Sequence, residues 1–208
     1  IRFSTSNPQD MTVDVLYVMR KYKNICNYIH LHVQSGSDRV LEAMNRQHTR
    51  KEYIELIDHI RTILPDCGIS QDMISGFPNE IDEDHQDTLS LMDYVKYDFG
   101  FMFMYSERPG TTASKKLEDN IPEDVKKRRL QEVVARQQQH SLYRTQQFVG
   151  QTVEVLIEKE SKKSKEHWSG RNQQNTVVVF PKENFKVGDF VNVKIEDCTS
   201  ATLIGKAV

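Results

Sequence analysis

Polar clusters follow four short apolar runs of the sequence, and their residue types suit the binding of a small polar ligand. The clusters are Ser4–Asn7, Gln34–Ser37, Gly76–Glu80 and Tyr105–Thr111. They combine hydroxyl, amide and carboxylate groups, and three of them contain a glycine, which lets a backbone approach a ligand closely. Such groups, beside the unpaired N–H groups that begin a helix, suit a ribose, a carboxylate or a phosphate.

Two of these clusters have a structural interpretation as well as a ligand-binding one. Gln34–Ser37 stands directly before a predicted helix, so Ser35 or Ser37 could cap that helix, and Ser37 is the better placed of the two. The carboxylate of Glu80 could accept hydrogen bonds from a ribose or an ammonium group, or could add ordinary negative charge to the first turn of the next helix. The ligand-binding interpretation gains from the number of clusters, because the carboxyl ends of parallel strands meet at one edge of a sheet.

An alternation of apolar runs with amphipathic stretches positions these clusters. The apolar runs predict four strands, and the stretches between them predict helices, of which one shows apolar residues at every third or fourth position. This alternation is typical of an α/β fold with a parallel sheet, here a partial barrel because four strands are too few for a closed one. The predicted strands are Ile1–Phe3, Tyr28–Val33, Gly68–Ser75 and Phe99–Tyr105, and the predicted helices are Val13–Tyr22, Arg39–Asn45, Arg50–Leu64 and Glu83–Val95.

The character of the sequence changes at Pro122 and again after Gly150. Pro122 begins a long polar helix to about Phe148, whose thin apolar stripe predicts a connector lying across a domain surface. Short β-branched strands then predict a small antiparallel, OB-like β-barrel. The predicted domains are residues 1–147, with a linker helix at about 122–147, and residues 148–208. The net charge changes with them, from -6 over residues 1–121 to +3 over 122–147 and +1 over 148–208.

Composition excludes several classes of protein. No apolar run approaches the length of a membrane span and no signal peptide is visible, so we expect a cytoplasmic protein without a membrane partner. The net charge of -2 argues against a uniformly basic nucleic-acid binder. The three cysteines, Cys26, Cys67 and Cys198, are widely separated, so the sequence predicts no metal site of its own. Because the chain opens inside an apolar run without Met, we expect it to be part of a longer protein.

The order of the motifs resembles that of the MiaB-type tRNA methylthiotransferases, which are radical S-adenosylmethionine enzymes ending in an RNA-binding TRAM barrel. The motifs are HLHVQSGSDRVLEAMNRQHTR, DMISGFPNE and FMFMYSERPGT, then TVEVLIE, SGR and NTVVVF, and they extend over essentially the whole chain. The resemblance implies that the four strands are the third to sixth of a six-stranded partial barrel. It also implies the transfer of a methylthio group to C2 of N6-isopentenyladenosine beside a tRNA anticodon.

The same resemblance implies cofactors and partners. They are S-adenosylmethionine, two 4Fe–4S clusters, the anticodon stem-loop of a tRNA and an electron donor, for an enzyme that acts as a monomer. Family members hold the cleaving cluster with a C-x-x-x-C-x-x-C motif that this sequence lacks. We therefore expect the cluster ligands to lie outside this chain, and the chain alone to be inactive and to bind no cluster.

The resemblance implies cofactor-binding roles for the clusters but identifies no catalytic residue. Gln34, Ser35 and Ser37 would face the ribose or the methionine, Ile74 and Gly76 would lie along the adenine, and Glu80 would approach polar groups. Two positions depart from the family pattern: His32 stands where Pro is usual, and Asn79 where Gly or Thr is frequent. His32 is interpreted as structural or as tolerated drift.

The predicted RNA contacts lie mostly in the small barrel. Arg108 belongs to an RPGT sequence that resembles the tRNA-modifying members. The barrel candidates combine cations for phosphates with a ring for base stacking. Alternatively, the lysines are simply solvated and Trp168 closes the barrel core. The basic run Lys126–Arg129 on the linker helix could extend the basic track or could balance acidic charge. The barrel candidates are Lys162, Lys163, Lys165, Trp168, Arg171 and Asn175.

Two other functions stay open at this point. A sister enzyme, which adds the methylthio group to threonylcarbamoyladenosine in tRNA, shares nearly every motif. Alternatively, the chain is a non-catalytic RNA-binding module whose αβ half is degenerate.

Overall fold

A computed structural model describes residues 1–3 and 7–208 of the chain. Its first part is a three-stranded parallel sheet in the order β1-β2-β3, flanked by six helices. Its second part is a closed five-stranded barrel. In the described residues, no helix is both long and apolar enough to cross a membrane. The helices are α1 (Val13–Lys21), α2 (Asp38–Ala43), α3 (Arg50–Ile63), α4 (Asp82–Val95), α5 (Thr112–Lys116) and α6 (Glu123–Gln146), and the strands of the sheet are β1 (Tyr28–His30), β2 (Gly68–Ser75) and β3 (Phe99–Met104).

One face of the sheet is buried against α1, α3 and α4. The helix α3 begins with a capping box between Thr49 and Glu52, which satisfies backbone N–H groups of its first turn. Its apolar side then packs on alternate residues of the strands, because side chains on a strand point to opposite faces in turn. The core that results includes Ile29, Leu31, Ile69, Met73, Tyr53, Ile57 and Ile60, all at most 2% exposed.

The parallel sheet and most helices were predicted correctly, but the first predicted strand is wrong. Residues 1–3 form no strand, and Ile1 is 72% exposed. The carbonyl of Ile1 accepts one backbone hydrogen bond, from the amide of Cys26. The N-terminal amine of Ile1 also donates to the carbonyl of Asn24, but these two bonds to an irregular segment do not form the ladder that fixes a strand. The described sheet therefore has three strands rather than four.

The helix α6 packs on the sheet domain mainly through polar side chains rather than through the apolar stripe that its sequence predicts. Its one buried apolar residue is Val133, whereas Leu142 and Tyr143 of the predicted stripe are exposed. The Gln137 amide donates to the carbonyl of Tyr97 over 3.0 Å, and Arg144 pairs with the buried Asp98 over 3.3 Å. Such pairing makes burial of a polar helix face tolerable.

The barrel strands run in the order β4-β5-β6-β8-β7. All pairs are antiparallel except β6 with β8, which is parallel, so the prediction of an entirely antiparallel barrel is corrected on this pair. Strand β5 was not predicted, because HWSGR carries a turn-like Ser-Gly pair. The strands are β4 (Thr152–Glu160), β5 (His167–Arg171), β6 (Val177–Pro181), β7 (Phe190–Cys198) and β8 (Thr202–Ala207).

The barrel contacts the sheet domain through the loop between β5 and β6. The Arg2 guanidinium donates to the carbonyl of Asn172 over 2.9 Å, and the amide of Gln174 donates to the carbonyl of Asp66 over 3.2 Å. Gly68 at the start of β2 allows this approach, since a Cβ there would lie 2.7 Å from the carbonyl oxygen of Gln174.

Candidate functional site

The face of the sheet opposite the helix-covered core carries polar and aromatic side chains, and we call it the open face. It is defined by the alternate strand positions that do not enter the core, together with the continuation of β1. Strand registers place Asp72 beside Phe101 and Ile74 beside Phe103, and these two rings are 53% and 52% exposed. The open face consists of Tyr28, His30, His32, Gln34, Ser70, Asp72, Ile74, Phe99, Phe101 and Phe103.

A hydrogen-bonded row crosses the open face at β1 and β2. The Tyr28 hydroxyl lies 2.6 Å from Ser70 Oγ, and His30 Nδ1 lies 2.6 Å from the same oxygen. His30 Nε2 is 3.4 Å from one Asp72 carboxylate oxygen, and His32 Nε2 is 3.5 Å from the other. Burial lowers the pKa of His30 and raises the pKa of Tyr28, so both side chains are neutral near pH 7.

A cavity of about 760 Å³ opens at the carboxyl end of the open face. It brings together three of the sequence-predicted residues, Gln34, Ile74 and Arg108, with the apolar rings of Phe77 and Phe103. Arg46 and Asp72 supply charge at its wall. The cavity therefore offers an apolar slot, an amide and charges of both signs, as a binding site for a nucleoside derivative requires.

Ser35 and Ser37 face helix α4 instead of the cavity. Ser37 stands at the N-cap position of α2, as predicted, but its side chain makes no capping hydrogen bond. Its hydroxyl donates to Asp84 over 2.6 Å, and Thr88 Oγ1 accepts from the amide of Gly36 over 2.9 Å. These contacts fix the loop on α4, and Gln34, whose φ is 70°, begins the loop at the cavity wall.

Glu80 is turned away from the cavity into a buried ion pair. Its carboxylate accepts hydrogen bonds from Arg129 over 2.9 Å and from the amide of Gly76 over 3.1 Å. Glu80 and Arg129 side chains are 3% and 4% exposed. Burial raises the pKa of Glu80, while the Gly76 amide and Arg129 oppose that rise. Glu80 thus joins the loop after β2 to α6 through its contacts with Gly76 and Arg129.

Replacing Gly76 with alanine is expected to destabilise the chain by about 1–3 kcal/mol. Gly76 has a φ of +74°, and a Cβ there would lie 2.4 Å from Cγ of Lys126, which holds Asp119. Gly150→Ala is the matched control, since its φ is +85° and no neighbouring atom of the described residues lies within 4 Å of an added Cβ. Urea denaturation of both variants measures the difference, and equal losses would show that backbone strain alone acts at Gly76.

All four side chains of the basic run Lys126–Arg129 form ion pairs with acidic side chains. Lys126 and Arg129 are buried and pair with Asp119 and Glu80. Lys127 and Arg128 are exposed but lie within 3.0 Å of Glu123 and Glu132. Of its two open interpretations, the geometry favours charge balance over an RNA track, because the phosphates of an RNA would have to replace these carboxylates.

The barrel presents a groove of about 520 Å³ in which two of the predicted lysines lie. Lys162 and Lys163 line it with Arg171 and the apolar side chains of Val179 and Ile204. Lys165 is exposed on the same loop. Cations beside an apolar floor suit the phosphates and bases of a single-stranded nucleic acid.

The remaining barrel candidates make internal contacts. Arg171 donates to the carbonyl of Asn175 over 2.8 Å and lies 3.4 Å from Glu158. Trp168 is half-buried against the barrel core, and Lys182 Nζ lies 4.5 Å from its ring centroid. Because Lys182 covers one face of the ring, the structure favours the interpretation in which Trp168 closes the barrel core.

Sequence reasoning missed the residues in the middle of the open face. His30, Ser70, Asp72 and the β3 rings were read as parts of apolar runs. A period of two along the strands could have revealed them, because Ser70, Asp72 and Ile74 alternate with the core residues Ile69 and Met73. The predicted cluster Ser4–Asn7 lies almost wholly outside the described residues.

Comparison with known proteins finds a match for each part of the chain. Residues 2–92 match the Radical SAM superfamily and residues 146–208 match the TRAM domain. Over all 208 residues the chain is 71% identical to the tRNA-2-methylthio-N(6)-dimethylallyladenosine synthase of Christiangramia forsetii and 65% identical to the protein of that name from Flavobacterium johnsoniae. The chain spans 43% of the length of each of these relatives.

A solved structure shares the fold. The coproporphyrinogen III oxidase HemN of Escherichia coli, a radical SAM enzyme, aligns with 83% of this chain and 46% of its own, with a TM-score of 0.56 and 17% identity. At that identity the likeness concerns the fold alone.

Proposed function

We propose that the chain is the nucleoside- and tRNA-binding part of a tRNA-2-methylthio-N6-dimethylallyladenosine synthase, because residues 2–92 match the Radical SAM superfamily and residues 146–208 match the TRAM domain. The observation that carries the proposal is the 71% identity over the whole chain to a relative of that name. The cavity at the end of the open face supports it, since its size and lining suit an adenosine derivative.

The cavity residues fit S-adenosylmethionine. Ile74 and Phe77 offer an apolar wall to an adenine, Gln34 offers an amide to ribose hydroxyls, and Arg46 or Arg108 offers a cation to a carboxylate. When bound, S-adenosylmethionine supplies the methyl group and the radical that removes hydrogen from C2 of the adenosine. Ser35 and Ser37 serve by fixing the loop that carries Gln34, and Gly76 and Glu80 by fixing the loop after β2.

The cysteines of this chain do not fit an iron–sulfur cluster. Burial raises the pKa of the Cys67 thiol to about 12, whereas a cluster needs thiolates that converge. Cys26 precedes β1 and Cys198 ends β7, in different domains. We therefore assign both clusters of the synthase to ligands outside this chain, and expect the 208-residue chain alone to be inactive. The synthase would act in the cytoplasm as a monomer, with the anticodon stem-loop of a tRNA and an electron donor as its partners.

We assign the tRNA to the barrel groove. Replacing Lys162, Lys163 and Lys165 together with glutamine should flatten the salt dependence of tRNA binding by about 0.7–0.9 units of slope per lost phosphate contact. Affinity measured from 50 to 200 mM salt tests this. The matched control replaces Lys127 and Lys206, which are exposed but paired with Glu123 and Glu196, and a slope that falls equally in both variants would refute the groove.

Nucleoside analysis of tRNA from cells without the gene tests the proposed function. We expect 2-methylthio-N6-dimethylallyladenosine to disappear and its precursor without the methylthio group to accumulate. Loss of the methylthio derivative of threonylcarbamoyladenosine instead would assign the sister reaction. No change in either nucleoside would leave an RNA-binding module and overturn the proposal.

A further inference from the structure

Three metal-ligating side chains converge in the middle of the open face. One ligand atom from each of His30, His32 and Asp72 lies within 4.8 Å of the other two. His30 and His32 are two residues apart, so they share a face of the extended chain. Asp72 comes from the neighbouring strand and lies between them.

The distances fit metal ligands better than hydrogen bonds. The two nitrogen–oxygen separations are 3.4 and 3.5 Å, longer than the roughly 2.9 Å of an ordinary hydrogen bond. Zinc binds histidine nitrogen and carboxylate oxygen at about 2.0–2.2 Å, which places neighbouring ligands of a tetrahedron about 3.3–3.6 Å apart. Each imidazole thus stands at a ligand-to-ligand distance from one of the two oxygens of the carboxylate.

A second layer of contacts orients one ligand. Ser70 Oγ contacts His30 Nδ1 over 2.6 Å and is itself held by the Tyr28 hydroxyl. This leaves Nε2 of His30 directed at Asp72. Metal-binding histidines commonly have their other ring nitrogen fixed in this way.

The cluster is accessible from one side. The side chains of His32 and Asp72 are 22% and 21% exposed, and that of His30 is 10% exposed. Among the described residues, no fourth His, Cys, Asp or Glu joins the cluster. Three protein ligands with an open position are typical of zinc sites that bind water or a ligand, whereas structural sites have four.

We propose that His30, His32 and Asp72 bind one divalent metal ion of zinc-like chemistry, with its open position toward the open face. The proposal goes beyond the proposed function, and it replaces the sequence-based interpretation of His32 as drift and the expectation that the chain holds no metal. The competing explanation is an apo network in which Asp72 balances Arg46, which lines the same cavity.

Titration of the 208-residue chain with Zn²⁺ by calorimetry, and with Co²⁺ by visible absorption, tests the proposal. We expect one site per chain. His32→Gln and Asp72→Asn should each weaken it at least 100-fold, and Ser70→Ala about 10–100-fold, as loss of an outer contact does. His59→Gln, on the exposed side of α3, is the matched control and should bind as the unaltered chain does.

The proposal is overturned if the chain binds no Zn²⁺ at millimolar concentration. It is also overturned if binding persists with unchanged affinity in both His32→Gln and Asp72→Asn. Circular dichroism of each variant verifies that the fold is retained. Because His32 and Asp72 are partly exposed, we expect both variants to fold.

Discussion

Replacing Arg129 with methionine is expected to lower the free energy of unfolding by about 3–5 kcal/mol, because it leaves the buried carboxylate of Glu80 without its cation. Methionine preserves the aliphatic stem of the side chain, so the loss reports mainly on charge. Urea denaturation followed by circular dichroism measures it. Arg128→Met, one residue earlier and 51% exposed, is the control and should cost less than about 1 kcal/mol.

The loss in Arg129→Met should depend on pH. Removing the cation raises the pKa of Glu80 beyond the rise that burial already causes. A carboxyl whose pKa is higher in the folded than in the unfolded protein stabilises the fold at low pH and loses that contribution as the pH rises through the folded pKa. The deficit of the variant should therefore shrink as the pH falls toward about 4.3, the ordinary pKa of Glu. Equal deficits in Arg128→Met and Arg129→Met at pH 7 would contradict the assignment of the buried pair.

Replacing Trp168 with alanine is expected to lower the stability of the barrel by about 3 kcal/mol, at the lower end of the range for large buried aromatic residues. The ring packs on the barrel core, and Lys182 covers one face. Its Nε1 atom is buried with no partner in the described residues, so the expected loss comes from apolar contact and not from a hydrogen bond. Differential scanning calorimetry of the chain measures the change.

Phe190→Ala is the matched control for Trp168→Ala. Phe190 lies on strand β7 of the same barrel and is 67% exposed, so its loss should change stability by less than about 0.5 kcal/mol. Below the unfolding temperature, tRNA affinity should be unchanged in Trp168→Ala. A tenfold weaker affinity with unchanged stability would show instead that the ring stacks on a base.

Local patterns predicted the elements whose apolar faces enter the core. The period of α3 follows from burial on one side, which a sequence displays directly, and β2 was predicted as a short apolar run between polar segments. Strand β5 and the irregular Ile1–Phe3 were mistaken because their conformations depend on partners. The Ser-Gly pair of β5 is held between β4 and β6, whereas Ile1 contacts only the irregular segment before β1, through Asn24 and Cys26, among the described residues.

The sequence pointed to residues of the cavity at the end of the open face but not to the residues in the middle of that face. Gln34, Ile74 and Arg108 do meet at one cavity, since the ends of parallel strands converge. Ser37 and Glu80 were assigned to a ligand, yet the structure pairs them with Asp84 and Arg129. Those partners lie 47 and 49 residues further along the chain, and no local pattern reveals which of several polar groups a buried side chain will meet.

Under the proposed function, the cavity at the end of the open face binds the reacting groups of tRNA methylthiolation. The most direct measurement is the ratio of 2-methylthio-N6-dimethylallyladenosine to its precursor in tRNA from gene-deleted cells that express the whole protein with Ile74→Glu. Ile74 lines the cavity, so a carboxylate there should disfavour an adenine and lower the ratio about tenfold or more, equivalent to about 1.4 kcal/mol. Ile81→Glu, at an exposed position before α4, should preserve the ratio. Full modification by Ile74→Glu at an equal protein level would contradict the claim.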